Sequence, residues 1–224
     1  MEGRSLIPTA LVLLVYLLTF LSFTYCLSEE QKQVVKVHNN YRSQEGATNM
    51  LKMSWDSGLE NIAKTYAAKC IWEHNPERGN VGENLFVGTG KFNVGNAIKS
   101  WYDEKPYYTF ETMGCAADKK CGHYTQVVWA NSNKVGCAHY FCKTVEGLDL
   151  KDATILVCNY SPPGNYKNQK PYRKGKSCSE CPKGYTCQGN LCSNNMQGGS
   201  NGVNLVMFSS TTLVVLMLVA LYSL

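Results

Sequence analysis

The sequence predicts an α+β layered domain, with helices in the first half and strands in the second. Helical spacing of apolar residues indicates three helices, over residues 29–44, 57–70 and 94–104. Runs rich in β-branched and aromatic residues indicate three strands, over residues 124–129, 135–141 and 154–160. The 224 residues are 44% hydrophobic and 11% aromatic, which is enough for a sizeable core and excludes wholesale disorder. Helices followed by strands favour a layered architecture.

N-cap residues and apolar stripes justify each helix. Ser28 and Gln31 form a capping box before the first helix, and Asp56 is an N-cap for the second. A lone histidine on an apolar stripe is usually a hydrogen-bonded core residue, so we expect a structural role for His38. The three stripes are Val34, Val37, His38 and Tyr41; Leu59, Ile62, Ala63, Tyr66 and Cys70; and Val94, Ile98, Trp101 and Tyr102.

The composition changes after Tyr166, where we expect the main domain to end. That domain is predicted over residues 27–166, followed by a basic linker over 167–177 and a cysteine-rich hinge module over 178–192. Residues 193–200 are predicted to be a short polar linker.

Both ends of the chain carry targeting patterns. Arg4 precedes an apolar run and small residues follow it, so residues 1–26 are expected to be a secretory signal peptide; an uncleaved anchor is the alternative. The C-terminal tail over residues 201–224 is apolar. It follows Gly198, Gly199 and Ser200, the pattern of a glycosylphosphatidylinositol signal. The alternative is one membrane span, and either one predicts a protein on the outer face of the plasma membrane, with a secreted form as a further option.

Positive charge is concentrated in one segment. The net charge of the chain is +5, and residues 167–183 hold six lysines and arginines against one glutamate, so the rest of the chain is neutral overall. A nucleic-acid-binding protein spreads basic charge over a face interleaved with aromatic residues, and no such face is evident, which excludes nucleic acid as a partner. A solvated linker is the simplest interpretation of the segment, and binding of anionic glycans or lipid headgroups is the minor alternative.

Eleven cysteines indicate an oxidising compartment. Cleavage after Cys26 would leave ten, and an even number favours complete pairing, which leaves no catalytic thiol. The sequence contains no His-Glu-x-x-His zinc motif, and its Gly-x-Ser-x-Gly match at residues 198–202 lies where the polar linker meets the C-terminal tail, not between a predicted strand and a predicted helix as a nucleophile elbow requires. We therefore expect a protein that is not an enzyme.

Four segments of the domain stand out together. They are HNNYR at residues 38–42, GENL at 82–85, GHYTQVVW at 122–129 and ILVCNYSPPGN at 155–165. In sequence and in order they resemble the signature motifs of the CAP superfamily, which comprises cysteine-rich secretory proteins, antigen 5 and pathogenesis-related 1. The resemblance implies a three-layer α-β-α sandwich, followed here by a small disulfide-stapled hinge.

The resemblance also implies a groove lined by two histidines and two glutamates. By motif, these residues are His74, Glu83, Glu104 and His123. Imidazoles are zinc ligands and carboxylates can orient them, so His74 and His123 are candidate ligands for a divalent metal, with zinc as the candidate ion and no cofactor established. Hydrogen bonds that hold the chain around the groove are the alternative role of the glutamates. No catalytic residue is assigned.

The resemblance implies five disulfide bonds, although spacing alone does not fix the pairing. Two bonds staple the hinge module, which has too few apolar residues to fold on burial alone. The five pairs are Cys70–Cys142, Cys115–Cys121, Cys137–Cys158, Cys178–Cys187 and Cys181–Cys192.

The function that the resemblance implies most generally is binding of lipids, including sterols, in apolar clefts. Candidate lining residues form an aromatic-rich loop, and ordinary loop packing is the alternative role. They are Tyr107, Tyr108, Phe110 and Met113. Two other hypotheses stay open: a protease-modulating or interaction module that binds an extracellular protein, and a metal-assisted hydrolase with a glutamate base.

Overall fold

The computed structural model describes residues 27–194. The predicted signal peptide, the anchor candidates Gly198, Gly199 and Ser200, and the apolar tail lie outside the described residues. Within residues 27–194, no helix is both long enough and apolar enough to cross a membrane.

Three helices lie where the sequence predicts them, and each ends two or three residues earlier than expected. They are α1 (Glu29–Arg42), α2 (Ser57–Ala67) and α3 (Val94–Tyr102). Ser28 and Gln31 form the predicted capping box, and the Asp56 side chain accepts a hydrogen bond from the backbone of Leu59. Side chains in the first turn therefore set the N-termini, as local sequence predicts.

Within the described residues, eight strands form one main sheet and two small hairpins. In chain order they are β1 (Ser54–Trp55), β2 (Gly82–Thr89), β3 (Tyr108–Thr109), β4 (Gly114–Cys115), β5 (Lys134–Thr144), β6 (Lys151–Ser161), β7 (Thr186–Gln188) and β8 (Leu191–Ser193). The main sheet has the order β1-β5-β6-β2, in which only the β1–β5 pair is parallel. The second and third predicted strands correspond to β5 and β6.

The predicted strand over residues 124–129 is wrong. Residues Gly122–Val127 form a short helix, α4, and the N–H groups of Thr125 and Val128 donate to carbonyls four residues earlier. Tyr124, Gln126 and Val127 are all buried. A helix that is buried on most sides shows no amphipathic period in its sequence. Only the composition is then left as a signal, and aromatic and β-branched residues are typical of a strand.

Strand β2 was not predicted, because it begins with Gly-Glu-Asn, which are poor strand formers. Its pairing with β6 over eight residues holds it in the sheet, with Glu83 opposite Asn159. This register places a motif glutamate on a strand rather than in a loop.

Two separate cores establish three layers. On one face of the sheet, α1, α3 and α4 pack against Leu156, Cys158 and Tyr160 of β6. On the other face, α2 packs against Ile155 and Val157. Alternate residues of β6 therefore face opposite helical layers, as strand geometry requires. The sheet lies between two helical layers, which is the expected α-β-α sandwich.

Arg42, 1% exposed, connects the end of α1 to the chain that follows α4. Its guanidinium donates to the carbonyls of Val127, Trp129 and Ala130, and also to that of Leu51, at 2.7–3.2 Å. His38, completely buried, contacts the Val34 carbonyl and the Tyr160 hydroxyl. Both residues have structural roles, and the expected role of His38 is confirmed.

Five disulfide bonds are present in the described structure, and they are the pairs that the resemblance implies. Two join the sheet or its connections, one closes the short loop before α4, and two staple the hinge module. They are Cys70–Cys142, Cys137–Cys158, Cys115–Cys121, Cys178–Cys187 and Cys181–Cys192.

The connector after the domain packs against it instead of standing in solvent. The Ala130 N–H donates to the Pro171 carbonyl at 2.7 Å, and the Thr48 N–H donates to the Arg173 carbonyl at 2.8 Å. Tyr172, 5% exposed, enters the core beside α4. The module is attached as well, because Cys192 exchanges backbone hydrogen bonds with the segment around Met50. The interpretation of this segment as a solvated linker is therefore wrong for residues 171–173.

Candidate functional site

The four motif residues come from different elements. His74 lies in the loop after α2, and Glu83 is the second residue of β2. Glu104 follows α3, and His123 is the second residue of α4. The fold thus brings residues that are up to 49 positions apart in sequence to one end of the sheet.

His74 and Glu83 form the first pair. Nδ1 of His74 lies 2.8 Å from Oε1 of Glu83, and the same oxygen accepts the Asn75 N–H at 2.9 Å. Oε2 of Glu83 accepts a longer bond of 3.4 Å from the Asn159 amide. The histidine side chain is 57% exposed and the glutamate side chain 1%. A buried carboxylate therefore orients a ring that faces solvent.

His123 and Glu104 form the second pair. Nδ1 of His123 lies 2.6 Å from Oε1 of Glu104. Oε2 accepts the N–H groups of His123 and Tyr124 at 3.0 and 3.1 Å, which caps the start of α4. Because an ionised carboxylate only accepts hydrogen bonds, Nδ1 is the donor in both pairs, and a neutral imidazole in this arrangement keeps the lone pair of Nε2 for a ligand.

Three of the four motif residues line a cavity of about 370 Å³. We call it the His groove, defined by His74, Glu83 and His123. Glu104 does not line it and reaches it only through the ring of His123. Five further residues line it that sequence reasoning did not place there, namely Asn84, Lys120, Cys121, Gly122 and Asn165. Asn84, Gly122 and Asn165 lie within the quoted motifs, so their presence at the groove could have been anticipated.

The donor set of the His groove limits its metal chemistry. The glutamate oxygens already contact histidine rings and backbone N–H groups, which leaves two imidazole Nε2 atoms as ligands. Among residues 27–194, only Cys178, Cys181 and Cys192 place three potential ligand atoms within 4.8 Å of one another, and their sulfurs are in disulfide bonds. Hydrolytic zinc sites have three protein ligands, so a donor set of two histidines does not match a hydrolytic centre.

The aromatic loop lies beside a second cavity of about 400 Å³. We call it the apolar cleft after four of its side chains, those of Tyr108, Met113, Trp129 and Tyr166. Polar residues line much of the rest, namely Thr112, Thr125, Asn165, Lys167, Asn168 and Gln169. Met113 and Tyr166 are 38% and 47% exposed, and the rings of Trp129 and Tyr166 lie 6.1 Å apart. Of the predicted lining residues, Tyr108 and Met113 reach this cleft, whereas Tyr107 and Phe110 do not. Trp129 and Tyr166 were missed because they come from other segments of the chain.

The His groove and the apolar cleft share a wall. Cys121, Gly122 and Asn165 line both cavities. Asn165 is fixed there, because its amide donates to the Gly122 carbonyl at 2.9 Å and its oxygen accepts from the Thr125 hydroxyl at 2.7 Å. A ligand in one cavity therefore contacts the wall of the other.

A buried carboxylate that sequence reasoning missed lies behind the aromatic loop. The Glu45 side chain, 1% exposed, accepts hydrogen bonds from the hydroxyls of Tyr102, Tyr124 and Tyr172 and from Lys105, at 2.6–3.0 Å. Burial, together with this carboxylate, raises the pKa of each of the three tyrosines well above its ordinary value. The cluster connects α1, α3 and α4 to the connector, and no short sequence pattern predicts it.

Comparison with known proteins defines the class. A profile of the cysteine-rich secretory protein (CAP) family matches residues 35–160. The chain belongs to the CAP family, and the expected family and fold are confirmed. The solved structure of NaASP2 with Zn²⁺ is similar, with a TM-score of 0.61 and 26% identity over 75% of this chain and 98% of that one.

Particular relatives lie within this family. Peptidase inhibitor 16 of Bos taurus is 50% identical over 170 residues, covering 74% of this chain and 37% of that protein. GLIPR1-like protein 1 of Bos taurus is 42% identical over 176 residues, covering 73% of this chain and 70% of that protein. The chain thus spans little more than a third of the length of the peptidase inhibitor 16 relative.

Proposed function

We propose that this protein is a non-catalytic extracellular module that binds an apolar lipid, of the sterol or fatty-acid class, in the apolar cleft. The observation that carries the proposal is the cleft itself, about 400 Å³ in volume and walled by Tyr108, Met113, Trp129 and Tyr166. Ligand sites for small molecules are concave and of this size, and they combine apolar and aromatic walls with polar groups that fix the orientation of the ligand. Polar groups at the edge of the cleft, such as Asn165, would orient a ligand hydroxyl or carboxylate.

A matched pair of variants tests the lipid site. Met113→Ser removes an apolar wall and should weaken binding of a labelled sterol or fatty acid by about tenfold, the equivalent of one buried side chain. Leu148→Ser is the control, because Leu148 is similarly exposed at 37% but does not line the cleft. An equal affinity for the labelled lipid in the wild type and both variants would mean that the lipid does not bind in this cleft, which contradicts the proposal.

The extracellular location is supported by the five disulfide bonds, which persist in oxidising compartments. We propose attachment to the outer membrane face through a glycosylphosphatidylinositol anchor near Gly198, Gly199 or Ser200. A phosphatidylinositol-specific phospholipase should then release the protein from intact cells. Retention after treatment would favour a C-terminal span.

Zinc binding at the His groove is the second candidate. The supporting observation is that a carboxylate contacts Nδ1 of both His74 and His123, the arrangement that orients zinc-ligating histidines. The similar structure of NaASP2, solved with Zn²⁺, adds support. Zinc titration should give one weak site that is lost in His74→Ala combined with His123→Ala. His139→Ala is the control, since His139 pairs with Glu30 elsewhere.

Two alternatives have direct tests. The name of the peptidase inhibitor 16 relatives suggests protease modulation, and inhibition of a protease panel by the purified protein would replace the lipid proposal. A metal-assisted hydrolase would need Glu83 as base, although both of its oxygens already accept hydrogen bonds. Turnover abolished by Glu83→Gln would establish that reaction.

A further inference from the structure

A third cavity lies under the connector, away from the His groove. Its volume is about 580 Å³. We call it the basic cavity, defined by the aromatic residues Phe110 and Tyr172 and by the cationic residues Lys170, Arg173 and Lys174 in its lining. Only one carboxylate, that of Glu111, is among its lining residues. The cavity is therefore cationic and large enough for a small-molecule-sized group.

Two lysines converge on one ring in this cavity. Nζ of Lys170 and Nζ of Lys174 lie 4.8 and 4.7 Å from the centre of the Phe110 ring. Such contacts favour a cation over the ring face but do not neutralise its charge. The two ammonium groups are thus at most 9.5 Å apart, and an anion that contacts both would offset their repulsion.

Acidic neighbours compensate this charge only in part. Lys174 lies 3.4 Å from Glu111, and Arg173 lies 3.3 Å from Glu180. Both pairs are exposed, so they contribute little and can exchange partners. Among the described residues, no carboxylate pairs with Lys170. The segment from 167 to 183 also carries the entire net charge of the chain, so a polyanion is attracted here more than to any other segment.

The cationic segment is held in place before any ligand arrives. Pro171 and Arg173 accept backbone hydrogen bonds from Ala130 and Thr48, and the Tyr172 hydroxyl donates to Glu45 at 2.9 Å. The Arg173 N–H donates to the Asn49 side chain at 2.9 Å. A segment that is already ordered loses little entropy when it binds, which favours affinity.

From this arrangement, we propose that the basic cavity binds a sulfated polysaccharide chain. Its cations follow one non-helical segment, so a linear polyanion can contact them in succession. Arginine forms paired hydrogen bonds with oxyanions such as sulfate, and the lysines supply point charges. The basic cavity adjoins the apolar cleft at Trp129 and Gln169, but Lys170 and Lys174 do not line the cleft, so variants of these lysines test the polysaccharide proposal separately from the lipid proposal.

The shape of the cavity favours a polysaccharide over an anionic membrane surface. Tyr172, one of the lining residues, is only 5% exposed, so a flat bilayer could not reach its side chain. Glu111 and Glu180 beside the cations would oppose a continuous negative surface. The exposed large apolar side chains, which would insert into a membrane, do not line this cavity.

The test compares the purified protein with two double variants on immobilised heparin. Lys170→Gln combined with Lys174→Gln should weaken heparin binding by about tenfold or more. Added salt should weaken heparin binding by the wild type. Lys143→Gln with Lys151→Gln is the control with the same change in charge, and Lys143 also lies over a phenylalanine ring, that of Phe141. The control should bind within about twofold of wild type. An equal loss of heparin binding in both double variants would mean that heparin is attracted by positive charge anywhere on the surface and not by the basic cavity. That result would overturn the proposal.

Two further probes separate the sources of negative charge. Hyaluronan, which carries carboxylates but no sulfate, should bind much more weakly than heparin if sulfate is recognised. Equal binding of the two polymers would overturn the sulfated class. Vesicles containing phosphatidylserine should not bind in a manner that depends on Lys170 and Lys174. If they do while heparin does not, the cavity is a membrane contact and the polysaccharide proposal is wrong.

Discussion

One carboxylate, that of Glu104, binds both the backbone N–H of His123 at 3.0 Å and its ring Nδ1 at 2.6 Å. The same side chain also accepts the Tyr124 N–H at 3.1 Å. The Glu104 carboxylate, which caps the start of helix α4, therefore also orients the ring of His123 at the His groove. Stability of the fold and geometry of the candidate metal site depend on one side chain.

The first prediction concerns this carboxylate. Glu104→Ala should lower the free energy of unfolding by about 3 kcal/mol, because it removes a charged acceptor from a partly buried helix start. Glu104→Gln should cost less, since its amide oxygen still accepts one N–H. Denaturation by urea measures both. Glu77→Ala is the control, because that side chain is 81% exposed and should change stability by no more than about 0.5 kcal/mol. Similar losses at both positions would contradict the capping role.

The second prediction concerns His38 and acid. Complete burial is the main cause that lowers the pKa of His38 to about 4, from an ordinary value of 6.5. Between these two pH values the unfolded chain binds a proton that the folded chain excludes, so stability falls as pH falls through this range. Over the whole range this effect lowers the free energy of unfolding by about 3 kcal/mol.

The difference between wild type and His38→Gln isolates this effect from that of the carboxylates. The stability advantage of the wild type should shrink as pH falls from 6.5 towards 4, as measured by thermal unfolding at each pH. His139→Gln is the control, since His139 is exposed on β5. A difference between wild type and His38→Gln that does not change with pH would show that His38 does not titrate as described.

The third prediction concerns the connector. Tyr172→Ala removes a core side chain and a hydrogen bond to Glu45, so the basic segment should detach and trypsin should cleave it about tenfold faster or more. Tyr172→Phe keeps the packing and should differ little from wild type. Tyr166→Ala, at a residue 47% exposed, is the control. Cleavage at an unchanged rate in Tyr172→Ala would mean that Tyr172 does not hold the segment.

Local signals in the sequence predict part of this fold well. The N-caps at Ser28 and Asp56 act within three residues, so short patterns are sufficient to place them. Helix α4 was mistaken for a strand because burial on all sides hides its period, and its N-terminal cap, Glu104, is 18 residues before Gly122. Distant contacts of this kind are not visible in a window of sequence.

The candidate site, like the fold, can be predicted from the sequence only in part. The four groove residues could be named from motifs, yet only the fold places Glu104 behind His123 instead of at the cavity. The apolar cleft draws Trp129 and Tyr166 from segments that sequence reasoning assigned to other roles. The Glu45 cluster collects three tyrosines spread over 71 positions of the sequence, and such a cluster follows from tertiary packing alone.

The fourth prediction is the measurement that tests the central proposal most directly. It is equilibrium binding of a labelled sterol and a labelled fatty acid to the purified, oxidised protein, with zinc and with a chelator. We expect saturable binding of one of them near one molecule per chain. Since Cys121, Gly122 and Asn165 line both the apolar cleft and the His groove, we also expect zinc to change the affinity. No saturable binding of either lipid in either condition would contradict the account.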